Sequence, residues 1–325
     1  MVKFFPEGIT YMDDLIFSLN ATLPIFFTMV VGVILKKFDI FNDNFLSSLN
    51  KFVFTVALPI LLFQDISSTD FIKNWDTKFV IFCFIVTLIS VLISYLVSIF
   101  LKDKSIQGEF VQASYRSSAS IIGIAFVQNI YGNISVAPLM IIGAVPLYNI
   151  VAVVVLSFLK PEKDKLNIET IKYTIKDIKT NPIILGIIIG MVWSVLKIPK
   201  PIILDKTLVN LANLATPLGL IVIGASFDFN KAFKNIKPAL MCTILKLIIF
   251  CALFIPPAVF IGYRNEYLVN ILVMLGSATT VSCYIMAKNM GHKGILTSST
   301  VMLTTMLSSF TLTGWLFILK SLGLI

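Results

Sequence analysis

Acidic residues are scarce in this chain: 17 Asp and Glu stand against 26 Lys and Arg in 325 residues, and only 13% of the residues are charged. A soluble domain carries about a quarter charged residues, so a water-facing globule is excluded. Histidine occurs once, at His292, in a predicted loop where a surface position is expected. No HExxH or similar cluster of His, Asp and Glu exists inside an apolar run, so an intramembrane enzyme lacks its chemistry. The four cysteines (Cys83, Cys242, Cys251, Cys283) each fall in apolar runs without metal-ligand spacing. They read as apolar filler, not as a disulfide framework or zinc site. No small-residue cleavage site follows the first apolar run, and Glu7, Asp13 and Asp14 accompany Lys3, so that run is read as a retained span. Mid-run carboxylate pairs are also missing, which removes an obvious proton relay or sodium cage.

What is abundant is apolar surface: 57% hydrophobic residues, 27 Phe, and a mean hydropathy of +0.93. A helix needs about 20 apolar residues to cross the hydrocarbon of a bilayer. That length predicts ten spans, near 14–36, 45–64, 78–101, 108–131, 134–159, 181–197, 207–227, 237–262, 266–290 and 294–319. With both termini placed outside the cell membrane, sixteen basic residues fall in inner loops, eight in outer ones, and two, Arg116 and Lys246, within spans. The positive-inside bias supports that orientation. It also accounts for the net charge of +9 by a membrane surface, with no nucleic acid as partner.

The one long charged connection, 161–180, reads as a cytoplasmic linker, either an amphipathic helix or a solvated strand of chain, between a first repeat (1–160) and a second (181–325). The halves are self-similar. Pro24, Gly32, Pro59 and Asp70-Phe71 recur 158 residues later as Pro182, Gly190, Pro217 and Asp228-Phe229. Ser118-Ala119-Ser120 and Gly132 recur 159 later as Ser277-Ala278-Thr279 and Gly291. Five spans per repeat would set the halves upside down to each other, the arrangement of secondary carriers whose sites lie where broken helices meet. The fourth span, YRSSASIIGIAFVQNIYG from Tyr115, and its partner LGSATTVSCY from Leu275 are both interrupted by small and hydroxyl residues. Unwound backbone survives in hydrocarbon only inside protein or beside a wet cavity. The fold expected is therefore an all-α membrane protein of ten helices in two inverted repeats, broken at spans four and nine. Pro59 and Pro217 are expected to kink their helices.

Several motifs carry a family resemblance: Asn50-Lys-Phe-Val-Phe-Thr-Val-Ala-Leu-Pro-Ile-Leu-Leu-Phe63, Arg116-Ser with Gly123-Ile and Tyr131-Gly, Pro146-Leu-Tyr-Asn149, Asn181-Pro, Ala215-Thr-Pro-Leu-Gly-Leu-Ile-Val-Ile-Gly-Ala-Ser226 and Thr304-Thr-Met-Leu-Ser308. With them the chain resembles the auxin efflux carrier family, whose bacterial relatives include proteins classed as malate permeases. The resemblance implies a scaffold half and a transport half and elevator-like carriage of small organic anions; a homodimer along the scaffold would fit it, and no cofactor is expected. The two broken spans depart from the pattern at four positions. Ser118 and Ala125 replace an Asn and a Pro of the fourth span, and Ala278 and Cys283 stand where crossover proline is sought in the ninth.

The expected substrate-binding set is Arg116, Ser117, Ser118, Ser120, Gly123, Gln128 and Asn129 in one broken span, Gly276, Ser277, Thr279, Thr280 and Ser282 in the other, with Tyr148, Asn149 and Lys246 beside them. Arg116 has two readings: a bidentate carboxylate ligand, or a snorkelling side chain paired with Glu109. Lys246 also has two: an anion contact, or a donor to carbonyls of a broken helix. The competing functions are an anion channel, a sodium-coupled bile-acid-type symporter, and a membrane sensor that binds without transport.

Overall fold

The computed structural model describes residues 9–68, 76–119, 124–131, 136–161, 175, 178–228, 230, 232 and 236–325. Among these the chain is all helix: α1 (Ile9–Lys37), α2 (Asp43–Ser67), α3 (Thr77–Ser98), α4 (Gln107–Tyr115), α5 (Ile124–Tyr131), α6 (Ala137–Phe158), α7 (Pro182–Val195), α8 (Ile202–Ala225), α9 (Ile236–Ile261), α10 (Glu266–Gly276), α11 (Ser282–Asn289) and α12 (Ile295–Ser321). Six of them (α2, α3, α6, α8, α9 and α12) are long and apolar enough to cross a membrane. The expected first span is α1, the sixth is the short α7, and the fourth and ninth are each divided in two, as α4 with α5 and α10 with α11. The Ser120 and Gly123 positions and most of the 161–180 linker lie outside the described residues.

Helix starts follow local chemistry. The side chains of Asn42, Asp76 and Asn181 each accept from a main-chain N–H in the first turn of α2, α3 and α7, satisfying donors that a helix leaves open. Both predicted proline kinks coincide with a break in helical register. Pro59 follows a π turn at Val53–Ala57, and Pro217 follows a turn at Asn213–Leu214. A proline cannot donate to the carbonyl four residues back and crowds it, which here means Thr55 and Asn213. A second π turn, Leu245–Ile249, interrupts α9, and Trp315 of α12 donates to the Leu247 carbonyl there at 3.0 Å.

Glycine sets how closely the helices pack. A Cβ on Gly224 of α8 would lie 1.9 Å from the Met29 carbonyl oxygen of α1, and one on Gly186 of α7 would lie 2.5 Å from that of Pro59 in α2. Lipid gives apolar helices no hydrophobic reason to associate, so close backbone approach through small residues has to supply the attraction. Gly224→Ala is therefore expected to drive α1 from α8 and lower the thermal unfolding temperature, at an overpacking cost of about 1–3 kcal/mol. Gly314→Ala, whose Cβ would meet nothing within 4 Å, is the matched control and should leave stability unchanged. Equal effects of the two would show that the α1–α8 contact is not limiting. All four cysteines are buried and free, in agreement with their reading as filler.

Candidate functional site

Two half-helices end in extended backbone at the same place. Beyond α4, Arg116 has φ −77° and ψ 133°; beyond α10, Ser277 has φ −74° and ψ 162°. The Ser118 N–H donates to the Ala278 carbonyl at 2.9 Å and joins the two breaks directly. The second break spans 277–281, so Ala278 lies in it and Cys283 lies inside α11. The first falls between Tyr115 and Ile124, which places Ala125 in α5.

Each break leaves carbonyls without intrahelical partners, and side chains from elsewhere meet them. Thr279 Oγ1 donates to the Ala113 carbonyl at 2.9 Å, and Tyr148 Oη donates to Met274 at 3.1 Å. Ser117 Oγ also donates to Met274. The Lys246 ammonium reaches the Leu275 carbonyl at 2.7 Å, that of Tyr115 at 3.4 Å, and Ser117 Oγ. The Thr279 N–H donates to Thr304 Oγ1 of α12 at 3.0 Å. Hydroxyl residues at the crossing therefore hold the unwound backbone, the condition for keeping it within a membrane.

Beside the crossing lies a cavity of about 100 Å³. Arg116, Ser117 and Ser118 line it from the first break, Ala278 to Ser282 from the second, and Tyr148 and Asn149 from α6. Its opposite wall is Leu58, Leu61, Leu62 and Asp65 of α2 with Ile25 of α1 and Ala215 and Thr216 of α8. The α2 residues recur at i, i+3, i+4 and i+7, one helical face, and that spacing was the sequence signal for a wall that motif reading passed over. Thr280, Val281 and Ser282 bring the N-terminus of α11 to the same space, where the helix dipole favours negative charge.

Arg116 dominates the electrostatics. It is 1% exposed, and every partner of its guanidinium is neutral. Nη2 donates to Asn149 Oδ1 at 2.7 Å and Ser282 Oγ at 2.6 Å, and Nη1 to Gln112 Oε1 at 3.2 Å and Met286 Sδ at 2.9 Å. Nε has no hydrogen-bond partner among the described residues. The alternative pairing with Glu109 is absent. Glu109, fully buried, instead accepts from the Gly294 and Thr297 N–H groups at 2.8 and 3.0 Å and from Thr297 Oγ1 at 3.1 Å. It caps α12, while Arg116 makes no ion pair among the described residues.

The remaining expected residues divide. Thr279, Thr280, Ser282, Tyr148 and Asn149 join the cavity wall. Gly276 packs against α9, where a Cβ would meet Cys251 Sγ at 2.8 Å, and neither it nor Ser277 reaches the cavity. Gln128 is exposed and is not among the cavity-lining residues described; the Asn129 side chain is outside the described set. Lys246 binds carbonyls behind the cavity and does not line it. His292 is also corrected: it is 3% exposed, with Nε2 donating to the Leu156 carbonyl at 2.9 Å. Desolvation lowers its pKa from the ordinary 6.5, because burial penalises the charged imidazolium. Among the described residues no cluster of three or more His, Cys, Asp or Glu could hold a metal.

Membrane-crossing helices, with a cavity beside two broken ones and a buried cation on its wall, fit a membrane transport protein. The family model described as "Membrane transport protein" matches residues 17–316. The chain belongs to that family, the family of the auxin efflux carriers. No curated protein matches the chain.

Proposed function

We propose that this protein is a secondary carrier for small carboxylates, working by alternating access at the crossing of α4–α5 with α10–α11. The observation that carries this reading is Arg116, a buried guanidinium facing a cavity and bound only to neutral groups. An unpaired charge inside a membrane protein is costly and marks a substrate or ion path. A carboxylate would complete it, docking on the guanidinium with the α11 N-terminus behind. Further support comes from the matching breaks and from the 158–159-residue self-similarity, which together favour two inverted five-helix repeats, 1–160 and 181–325 about the linker 161–180. The lysine bias favours both termini outside.

The cavity also bears on substrate size. An apolar cavity of about 150 Å³ accepts benzene, so about 100 Å³ favours an acid of few heavy atoms over an indole acid. Reconstituted in liposomes, the protein should take up labelled small acids such as lactate, malonate or malate saturably, and indole-3-acetate least. Unsaturable flux would make it a channel. No flux of any acid by folded protein would favour a sensor.

A further inference from the structure

The carrier reading gives Lys246 no work, although it is the second cation buried in the helices and is fully enclosed. The π turn Leu245–Ile249 aims it at the crossing. Its ammonium is bound by oxygen alone: the Leu275 carbonyl at 2.7 Å, the Tyr115 carbonyl at 3.4 Å, and Ser117 Oγ. Tyr115 closes α4 and Leu275 lies in the last turn of α10. Among the described residues Lys246 makes no ion pair. Its ligands adjoin two other ionisable residues: Ser117 follows Arg116 in sequence, and Ser117 Oγ and Tyr148 Oη both donate to the Met274 carbonyl.

What balances the charge is therefore the backbone. A helix C-terminus behaves as about half a negative charge, so two half-helices ending on one ammonium supply about one. Main-chain carbonyls and a hydroxyl at the C-terminal ends of broken helices form the environment in which transporters hold a monovalent coupling cation. Here the position is filled from the side by a cation attached to α9. Ser117 links that position to the cavity, since its Oγ accepts from Lys246, donates to Met274, and its residue lines the wall beside Arg116.

We propose that Lys246 is a covalently tethered substitute for a bound monovalent cation. Its ammonium occupies a cation site made by both broken helices and holds the crossing together without sodium. Lys246 is thus a positioning residue and not a substrate ligand. The transport consequence, sodium-independent uptake, rests on the carrier reading; the site itself does not.

The test is thermal unfolding of the purified full-length chain at constant ionic strength in sodium, n-propylammonium or choline chloride. n-Propylammonium reproduces the atoms that Lys246→Ala removes, and choline is too large to enter. Wild type should melt at the same temperature in all three. Lys246→Ala should melt roughly 5–15 °C lower in choline, the scale of a lost buried charge contact, and recover saturably with n-propylammonium or sodium. Lys246→Met, which fills the same space without charge, should not recover. A Lys246→Ala chain that folds only when prepared in one of the two small cations supports the proposal equally. Sodium-specific stabilisation of wild type would overturn it, as would a Lys246→Ala chain that no cation restores. Because the readout is unfolding, failure here stays separate from failure to find a transported acid.

Discussion

Arg116→Gln is expected to lower the initial rate of carboxylate uptake by about 10²-fold or more while leaving the protein folded. Truncating one partner of a buried charge pair costs about 2–5 kcal/mol, or about 30-fold to several thousandfold. Glutamine can still bond to the Asn149 and Ser282 oxygens that now accept from Nη2, so what is lost is the charge and the fork. Stability should move the other way. The free protein carries that guanidinium 1% exposed among neutral partners, and replacing a buried charge with a neutral amide relieves desolvation. The unfolding temperature of Arg116→Gln without substrate should therefore equal or exceed wild type. Arg116→Lys keeps the charge but not the planar pair of donors, and should fall between wild type and Gln in uptake. Rates measured in liposomes beside melting curves check both halves. Near-normal uptake by Arg116→Gln would remove Arg116 from the site, and inactivity with a collapsed melting temperature would make its role structural.

How far the sequence revealed this arrangement depended on whether a feature is local. Hydropathy sums along the chain, so most spans appear within a few residues of their observed helices; α3 was expected at 78–101 and runs Thr77–Ser98. The breaks were legible because Ser117-Ser118 and Ser277-Ala278-Thr279 interrupt apolar runs. Lys246 could be named as a donor to a broken helix, but the particular partners across the fold could not. Glu109 meets Gly294 across 185 positions, and Lys246 meets Ser117 across 129, distances over which no periodicity carries information. Loop position misled at His292, because this loop residue is covered by helices distant in sequence: Nε2 meets the Leu156 carbonyl of α6, and a Cβ on Gly108 of α4 would sit 2.8 Å from its ring. Asp65 drew no notice in the sequence, yet it lines the cavity.

Glu109→Ala is expected to destabilise the protein by about 3–5 kcal/mol, the range for breaking a buried charged contact. The carboxylate spans the start of α12, with Oε1 on the Gly294 N–H and Oε2 on the N–H and hydroxyl of Thr297. An ordinary cap would come from the residue at the helix start, but Gly294 holds that place in the left-handed region, φ 75°, and has no side chain. A distant helix therefore does the capping, and α4 and α12 are fixed to each other by it. Alanine leaves two main-chain donors buried without partners, each at about 1–3 kcal/mol. Glutamine keeps one acceptor and turns its amide donors toward N–H groups, so Glu109→Gln should lose about half as much. The effect should reach the crossing, because α12 also carries Thr304, which accepts from the Thr279 N–H, and Thr305, which lines the cavity. Faster amide exchange in the first turn of α12, together with a lower melting temperature, is the expected signature. Uptake should fall for every acid by the same factor, because Glu109 holds the frame of the cavity and not its substrate. A change in the preference among acids would contradict that assignment, and unchanged exchange at Thr297 would show that the cap is not what starts α12.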